Sequence, residues 1–271
     1  MRALRSPQTI YILTLLLAAP LLPTENTLAA DAAAVAPASL TAAQIVERNV
    51  QARGGLTAWR KVSALLFQGQ LDAGGTAPTT LPVVLEFKRP NKERVELQFQ
   101  DKTAIQVFDG IAGWKVRPYL GRMDPEPFTA DELKEASEQS ELDGPLMDYV
   151  AKGTQVALEG TENIEGRNCY RLKLTLRNAS TSHVWIDADT FLESKVDAAP
   201  RRVDGRLRHV ETYFRDYRKV DGLLVPFLVE TAVEGIGQRH RMSFTQVQRN
   251  PPLEDALFAR QGLALASIPG R

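Results

Sequence analysis

The residues able to do chemistry are few and scattered. The three histidines, His183, His209 and His240, fall in strand-like runs, and none has a second His or carboxylate at the spacing that holds a metal. They are expected to be solvent-facing strand residues. Cys169, the single cysteine, precedes Tyr170 on a predicted strand with no cation placed to lower its pKa, so it reads as an inert packed thiol. Asp143 with Asp148, and Asp187 with Asp189, could do paired acid and base work, yet both pairs stand where turns and helix caps favour Asp. No Gly-x-Ser-x-Gly elbow, phosphate loop or dinucleotide fingerprint occurs, and Gly74-Gly75 lies in a Pro/Thr-rich loop with no helix behind it. No catalytic residue, cofactor or metal is therefore expected, and the chain is not read as an enzyme. Asn178-Ala179-Ser180 fits a glycosylation sequon but fits a hairpin turn better.

Charge gives no partner. Lys and Arg together number 33, as do Asp and Glu, so the chain carries no electrostatic footprint for nucleic acid and no polybasic tract aimed at anionic lipid. One cysteine excludes an internal disulfide, which leaves stability to an apolar core. At the N-terminus, Arg2 and Arg5 precede an apolar run from Ile10 to Leu22 and the small residues of Thr27-Leu28-Ala29-Ala30. That is the layout of an export signal over residues 1–30, with cleavage after Ala29, Ala30 or Ala32 equally arguable. The apolar run is shorter than the ~20 residues of a membrane-spanning helix. A lipid anchor would need a cysteine directly after the signal, and Cys169 lies far beyond it.

These sparse groups must be positioned by a predominantly β chain. After a linker over 31–39, Thr41 caps a short helix carrying Ile45 and Val46, and Gly54-Gly55 ends it before a turn with Leu56 and Trp59. From Leu65 the apolar period becomes two. Leu85 and Phe87, then Val95, Leu97 and Phe99, form a hairpin about Pro90-Asn91; Asp109-Gly110 turns the chain toward Trp114; Leu172, Leu174 and later Phe214 continue the alternation. The pattern predicts about eleven strands in a sequential meander within one domain over 40–271. Residues 125–151 interrupt it as an acidic helical insertion, with a capping box at Thr129-Ala130-Asp131-Glu132 and a break at Asp143-Gly144-Pro145. So long an apolar face suits a ligand cavity, lined by Leu85, Phe87, Val95, Leu97, Phe99, Trp114, Leu172, Leu174 and Phe214, although a fully packed core is also open.

Phe87-Lys88-Arg89-Pro90-Asn91, then Asp109-Gly110 with Trp114 and Pro118 beyond, and finally Pro252-Leu253-Glu254-Asp255-Ala256-Leu257-Phe258, resemble the LolA/LolB-like lipoprotein-carrier family of the Gram-negative periplasm. The resemblance spans most of the chain after the signal. It implies an unclosed β-barrel, mainly β with few helices, whose concave apolar side is covered by a helical lid and receives acyl chains. It implies that Arg89 contacts the lid and helps govern its opening. It further implies a soluble, monomeric periplasmic carrier of lipoprotein acyl chains or another lipid, with a membrane-protein donor or acceptor and no nucleic acid. The acidic insertion and the extra length depart from a minimal carrier, and leave a second role open: an envelope-stress sensor or regulatory protein-interaction module on the same fold.

Overall fold

The computed structural model describes residues 40–72, 80–203 and 206–264. The expected export signal and linker lie outside them. Two helices come first. In α1 (Ala42–Ala52) the Thr41 hydroxyl accepts the Gln44 N–H while the Gln44 side chain accepts the Thr41 N–H, a reciprocal capping box. Gly54 and Gly55 take φ values of +115° and +87° to turn the chain into α2 (Leu56–Arg60). A Cβ on Gly54 would stand 2.5 Å from the Gly222 carbonyl oxygen, so glycine also permits this turn to press against a later hairpin.

The strands are β1 (Ala64–Asp72), β2 (Thr80–Lys88), β3 (Lys92–Phe99), β4 (Lys102–Phe108), β5 (Gly113–Arg117), β6 (Arg122–Pro127), β7 (Gln155–Ile164) and β8 (Arg167–Thr175). They continue with β9 (Thr181–Asp187), β10 (Glu193–Asp197), β11 (Arg201–Val203), β12 (Arg206–Arg208), β13 (Val210–Val220), β14 (Leu223–Val233) and β15 (His240–Arg249). Thirteen form one sheet in the order β6-β5-β4-β3-β2-β1-β15-β14-β13-β10-β9-β8-β7, and β11 with β12 forms a separate ribbon. The edges β6 and β7 do not pair, so the antiparallel sheet is an unclosed half-barrel, as expected.

Two expectations are corrected. There are more than eleven strands, and the meander is not sequential: β1 and β15 pair in the middle of the sheet and join two meanders. The insertion over 125–151 is not helical throughout. It starts within edge strand β6, makes one helix, α3 (Ala130–Gln139), and continues through turns to β7. β6 escaped the alternation rule because it is exposed along nearly its whole length and holds two prolines, which only an edge strand tolerates. The chain between α3 and β7 thus runs from one edge of the open sheet to the other.

The inward face holds the main core. Trp59, Val62 and Met147 pack against Leu65, Phe67, Val225, Phe244 and Val247, while Ile45, Val46 and Leu146 pack against Leu172, Leu174, Val184 and Ile186. The outer face of β3–β5 has its own cover, residues 253–264, under which Arg94 is fully buried. Among the described residues, no helix is long and apolar enough to cross a membrane.

Candidate functional site: an apolar inner wall with a charged lid

Cross-strand register makes the inner wall continuous. Leu85 lies opposite Phe67 and Val95, Val83 opposite Gly69 and Leu97, and Phe87 opposite Leu65. On the other side of the β1–β15 pairing, Phe214 lies opposite Val229, Val229 opposite Met242, and Met242 opposite Leu71. Burial changes along this wall. Leu65, Phe67, Val83, Val225 and Phe244 are buried, whereas Leu71, Leu85, Phe87, Leu97, Phe214, Val229 and Met242 are partly accessible, and Phe99 at the rim away from α2 is 37% exposed. A wall crossed by a partly accessible row, Phe214, Val229, Met242 and Leu71, can take up an apolar chain there without breaking the packed core.

Of the residues expected to line a cavity, Leu85, Phe87, Val95, Leu97, Phe99 and Phe214 lie on this face. Leu172 and Leu174 face inward too, but both are 0% exposed because α1 and Leu146 fill the space above them. They are core. Trp114 points the other way: it packs with Ile105, Val107 and Leu263 on the outer face, under the Arg260 guanidinium at 5.3 Å. Alternation misplaces it because β4 and β5 bury apolar side chains beneath the C-terminal segment.

Arg89 leaves the β2–β3 turn and reaches the helical cover. Its Nε donates to the Val62 carbonyl at 2.7 Å, and one Nη donates to the Trp59 carbonyl at 3.2 Å and to the Asp143 carboxylate at 2.9 Å. Asp143 also accepts Lys152 Nζ at 3.0 Å, and its backbone carbonyl accepts Arg53 at 3.1 Å. Burial pushes the Asp143 carboxyl up, but Arg89 and Lys152 overcome it and hold the group below the usual carboxylate range. Three segments distant in sequence, carrying Arg53, Arg89 and Asp143, meet at this one residue.

The α3 helix is held differently. Only Ala136 of it is buried. Lys115, buried on the inward side of β5, pairs with Glu132, and Arg201 of β11 pairs with Glu135, so ion pairs anchor the helix at two places. Phe128, just before α3, lies so close over Gly113 that its ring leaves no room for a Cβ there. Between α3 and Val196, Pro200, Leu207, Val210 and Thr212 lies a groove of about 420 Å³. Val196 is opposite the inward-facing Val184, so the groove reaches the inner face.

Glu93 is in phase with Val95, Leu97 and Phe99 but was not singled out by the apolar pattern. It lies opposite Phe87 and Phe108, no described side chain bonds it, and burial pushes its carboxyl up to about 7. A carboxyl with a raised folded pKa contributes stability that is full below its ordinary value near 4.5 and lost as pH rises through 7. Glu93→Gln is therefore expected to stabilise the chain at pH 8 by on the order of 2 kcal/mol, after discounting for partial solvent contact, and to change little at pH 4. Urea unfolding at both pH values checks this.

The other reactive types are taken up locally. Asp148 accepts Arg60, and Asp187 accepts the Asp189 and Thr190 N–H groups within a turn. Asn178 accepts the Ser180 N–H at 3.0 Å in the β8–β9 turn. Cys169 is buried beside Ser194, and burial raises its thiol pKa. His183 is in β9 and His240 begins β15, but His209 lies between β12 and β13 rather than within a strand. No group of three His, Cys, Asp or Glu able to hold a metal occurs among the described residues.

Comparison with solved structures identifies the architecture. A LolA superfamily protein from Nitrosomonas europaea superposes with a TM-score of 0.54 at 15% identity, over 82% of this chain and 98% of that one. The chain has the LolA-like fold. An outer membrane lipoprotein-sorting protein domain from Vibrio parahaemolyticus gives 0.55 at 14% identity, over 81% of this LolA-like chain and 96% of that one. A DUF1329 family protein from Desulfovibrio piger gives 0.50 at 15% identity, over 82% and 98%. A family model described as an uncharacterized protein matches residues 146–264. No curated protein matches the sequence.

Proposed function

We propose that this LolA-like chain is a periplasmic carrier that holds acyl chains, of lipoproteins or another lipid, against its inner wall, by binding and lid motion with no covalent step. The observation that supports it most is the partly accessible apolar row Phe214, Val229, Met242 and Leu71 that crosses this wall, with Leu97 and Phe99 beyond it. Each CH₂ removed from water contributes about 0.8 kcal/mol, so one long acyl chain is worth on the order of 10 kcal/mol. That is ample for tight, reversible binding. Export through residues 1–30, action as a monomer and exchange with a membrane-protein donor and acceptor complete the reading. The acidic residues behind the alternative, a protein-interaction module, include Glu132 and Glu135, and these are turned onto Lys115 and Arg201.

Native mass spectrometry of protein purified from the periplasm, followed by lipid extraction, tests the proposal. A bound lipid, or stoichiometric uptake of a fluorescent fatty acid, supports it; neither being seen overturns it. Arg89 tests the lid. Arg89→Leu removes the bonds to Trp59, Val62 and Asp143, which should cost about 1–3 kcal/mol and leave a folded chain. Stopped-flow release of the fluorescent fatty acid is expected to quicken about tenfold, and unchanged release would remove Arg89 from lid control.

A further inference from the structure

One carboxyl on the inner wall has nothing to bind. Glu93 precedes Val95, Leu97 and Phe99 on the inward face of β3; Glu93, Val95 and Leu97 are partly accessible, and Phe99 is exposed. Among the described residues the charges around it are already matched. Lys115 of β5 pairs with Glu132 of α3, Arg89 pairs with Asp143 of the lid, and Lys88 and Lys92 pair with Asp255. Asp109, in the turn after β4, accepts the Ile111 and Ala112 N–H groups, and Gln106, inward on β4, is neutral. Three aromatic side chains frame the same corner. Register sets Phe87 and Phe108 on either side of Glu93, Gly113 lies beyond Phe108, and Phe128 covers Gly113. Phe128 already faces one ammonium, Lys115 Nζ, which lies 5.9 Å from the ring centroid. Burial alone pushes the Glu93 carboxyl up to about 7, so its ionised form works against folding. An acid that weakens the fold and stands on a ligand wall points to the ligand's polar end.

We propose that Glu93 anchors the polar head of the ligand and that this head is an ammonium, carried by a long-chain amphiphile whose chain runs along Val95, Leu97 and Phe99. The proposal rests on the carrier reading and names the class of lipid it takes. Head chemistry selects among amphiphiles. A carboxylate head is repelled once Glu93 ionises, and a hydroxyl gains only a neutral hydrogen bond. An ammonium gains a charge-assisted bond to the carboxylate, about twice as strong, and the faces of the neighbouring Phe rings favour it further. Pairing also offsets the cost of leaving a carboxylate desolvated and alone. The strand from Glu93 to Phe99 runs about 20 Å, so a long chain can lie along it with its tail toward the exposed Phe99.

Displacement of a fluorescent fatty acid from the full chain by dodecylamine, dodecanol and laurate tests the proposal. At pH 8 dodecylamine is expected to displace it at about tenfold lower concentration than dodecanol, with laurate weakest. In Glu93→Gln, which should fold at least as stably at that pH, the advantage of the amine over the alcohol should fall to about twofold or less. The advantage should also shrink at pH 5, where Glu93 is protonated, in the unsubstituted chain but not in Glu93→Gln. Equal displacement by amine and alcohol at pH 8, laurate displacing best, or an amine advantage that survives Glu93→Gln overturns the assignment while the carrier reading stands. Failure of all three, with no fatty acid taken up, overturns both.

Discussion

Replacing Arg94 with methionine is expected to destabilise the folded chain by about 3–5 kcal/mol and to release residues 253–264 from the outer face. Arg94 is 0% exposed. Its guanidinium donates to the Leu257 carbonyl at 3.0 Å, to the Gly262 carbonyl at 2.9 Å and to Glu96 Oε1 at 2.8 Å, and Glu86 lies 3.5 Å away. Methionine fills similar volume but leaves Glu86 and Glu96 buried without that cation, and breaking a buried pair from one side is what makes such changes costly. Urea unfolding measures the loss, and limited proteolysis with mass mapping reports cleavage near residue 260. Adding Glu86→Gln and Glu96→Gln should restore much of the stability. A loss under about 1 kcal/mol would mean that the charge cluster contributes little.

A pair of leucine truncations should separate core from ligand wall. Leu172→Ala is expected to cost about 2–5 kcal/mol, because the side chain is 0% exposed among Ile45, Val46 and Leu146 and a cavity would remain. Its folded fraction should take up fluorescent fatty acid with unchanged stoichiometry and affinity. Leu97→Ala, on the partly accessible stretch, should cost about 1–2 kcal/mol and weaken uptake several-fold. Thermal melts and binding isotherms on both variants decide the matter. If Leu172→Ala weakens uptake while Leu97→Ala does not, the accessible wall has been assigned to the wrong half of the sheet.

The pattern of residues in the sequence revealed alternation well and facing poorly. The hairpins about Pro90-Asn91 and Asp109-Gly110 are readable because each joins runs with one apolar phase to a residue pair that turns. β10 was not. Its Glu193, Ser194 and Lys195 look like solvent, yet Glu193 pairs with Arg53, and Lys195 sits 3.8 Å above the Trp185 ring and pairs with Glu211. Long-range partners rescue these polar groups, and no local rule sees such partners. The same limit explains the site residues. Leu172 and Leu97 read alike in sequence, and only the position of α1 distinguishes a filled wall from an accessible one. Trp114 shows that apolar alternation cannot say which face is inward when both are covered. Glu93 carries a readable signal, a charged residue two places before Val95 and in step with Leu97 and Phe99.

The pairing of β1 with β15 sets the order of assembly. Strands within each meander can zip to their neighbours through short turns, but the two meanders meet only when the earliest and latest strands find one another. This contact has the widest sequence separation in the sheet, so its loop-closure entropy is largest and the topology should fold slowly. Until β15 arrives, β1 and β14 each offer an unpaired edge to other chains, and nascent or truncated forms ending before His240 should be prone to aggregate or to require a chaperone.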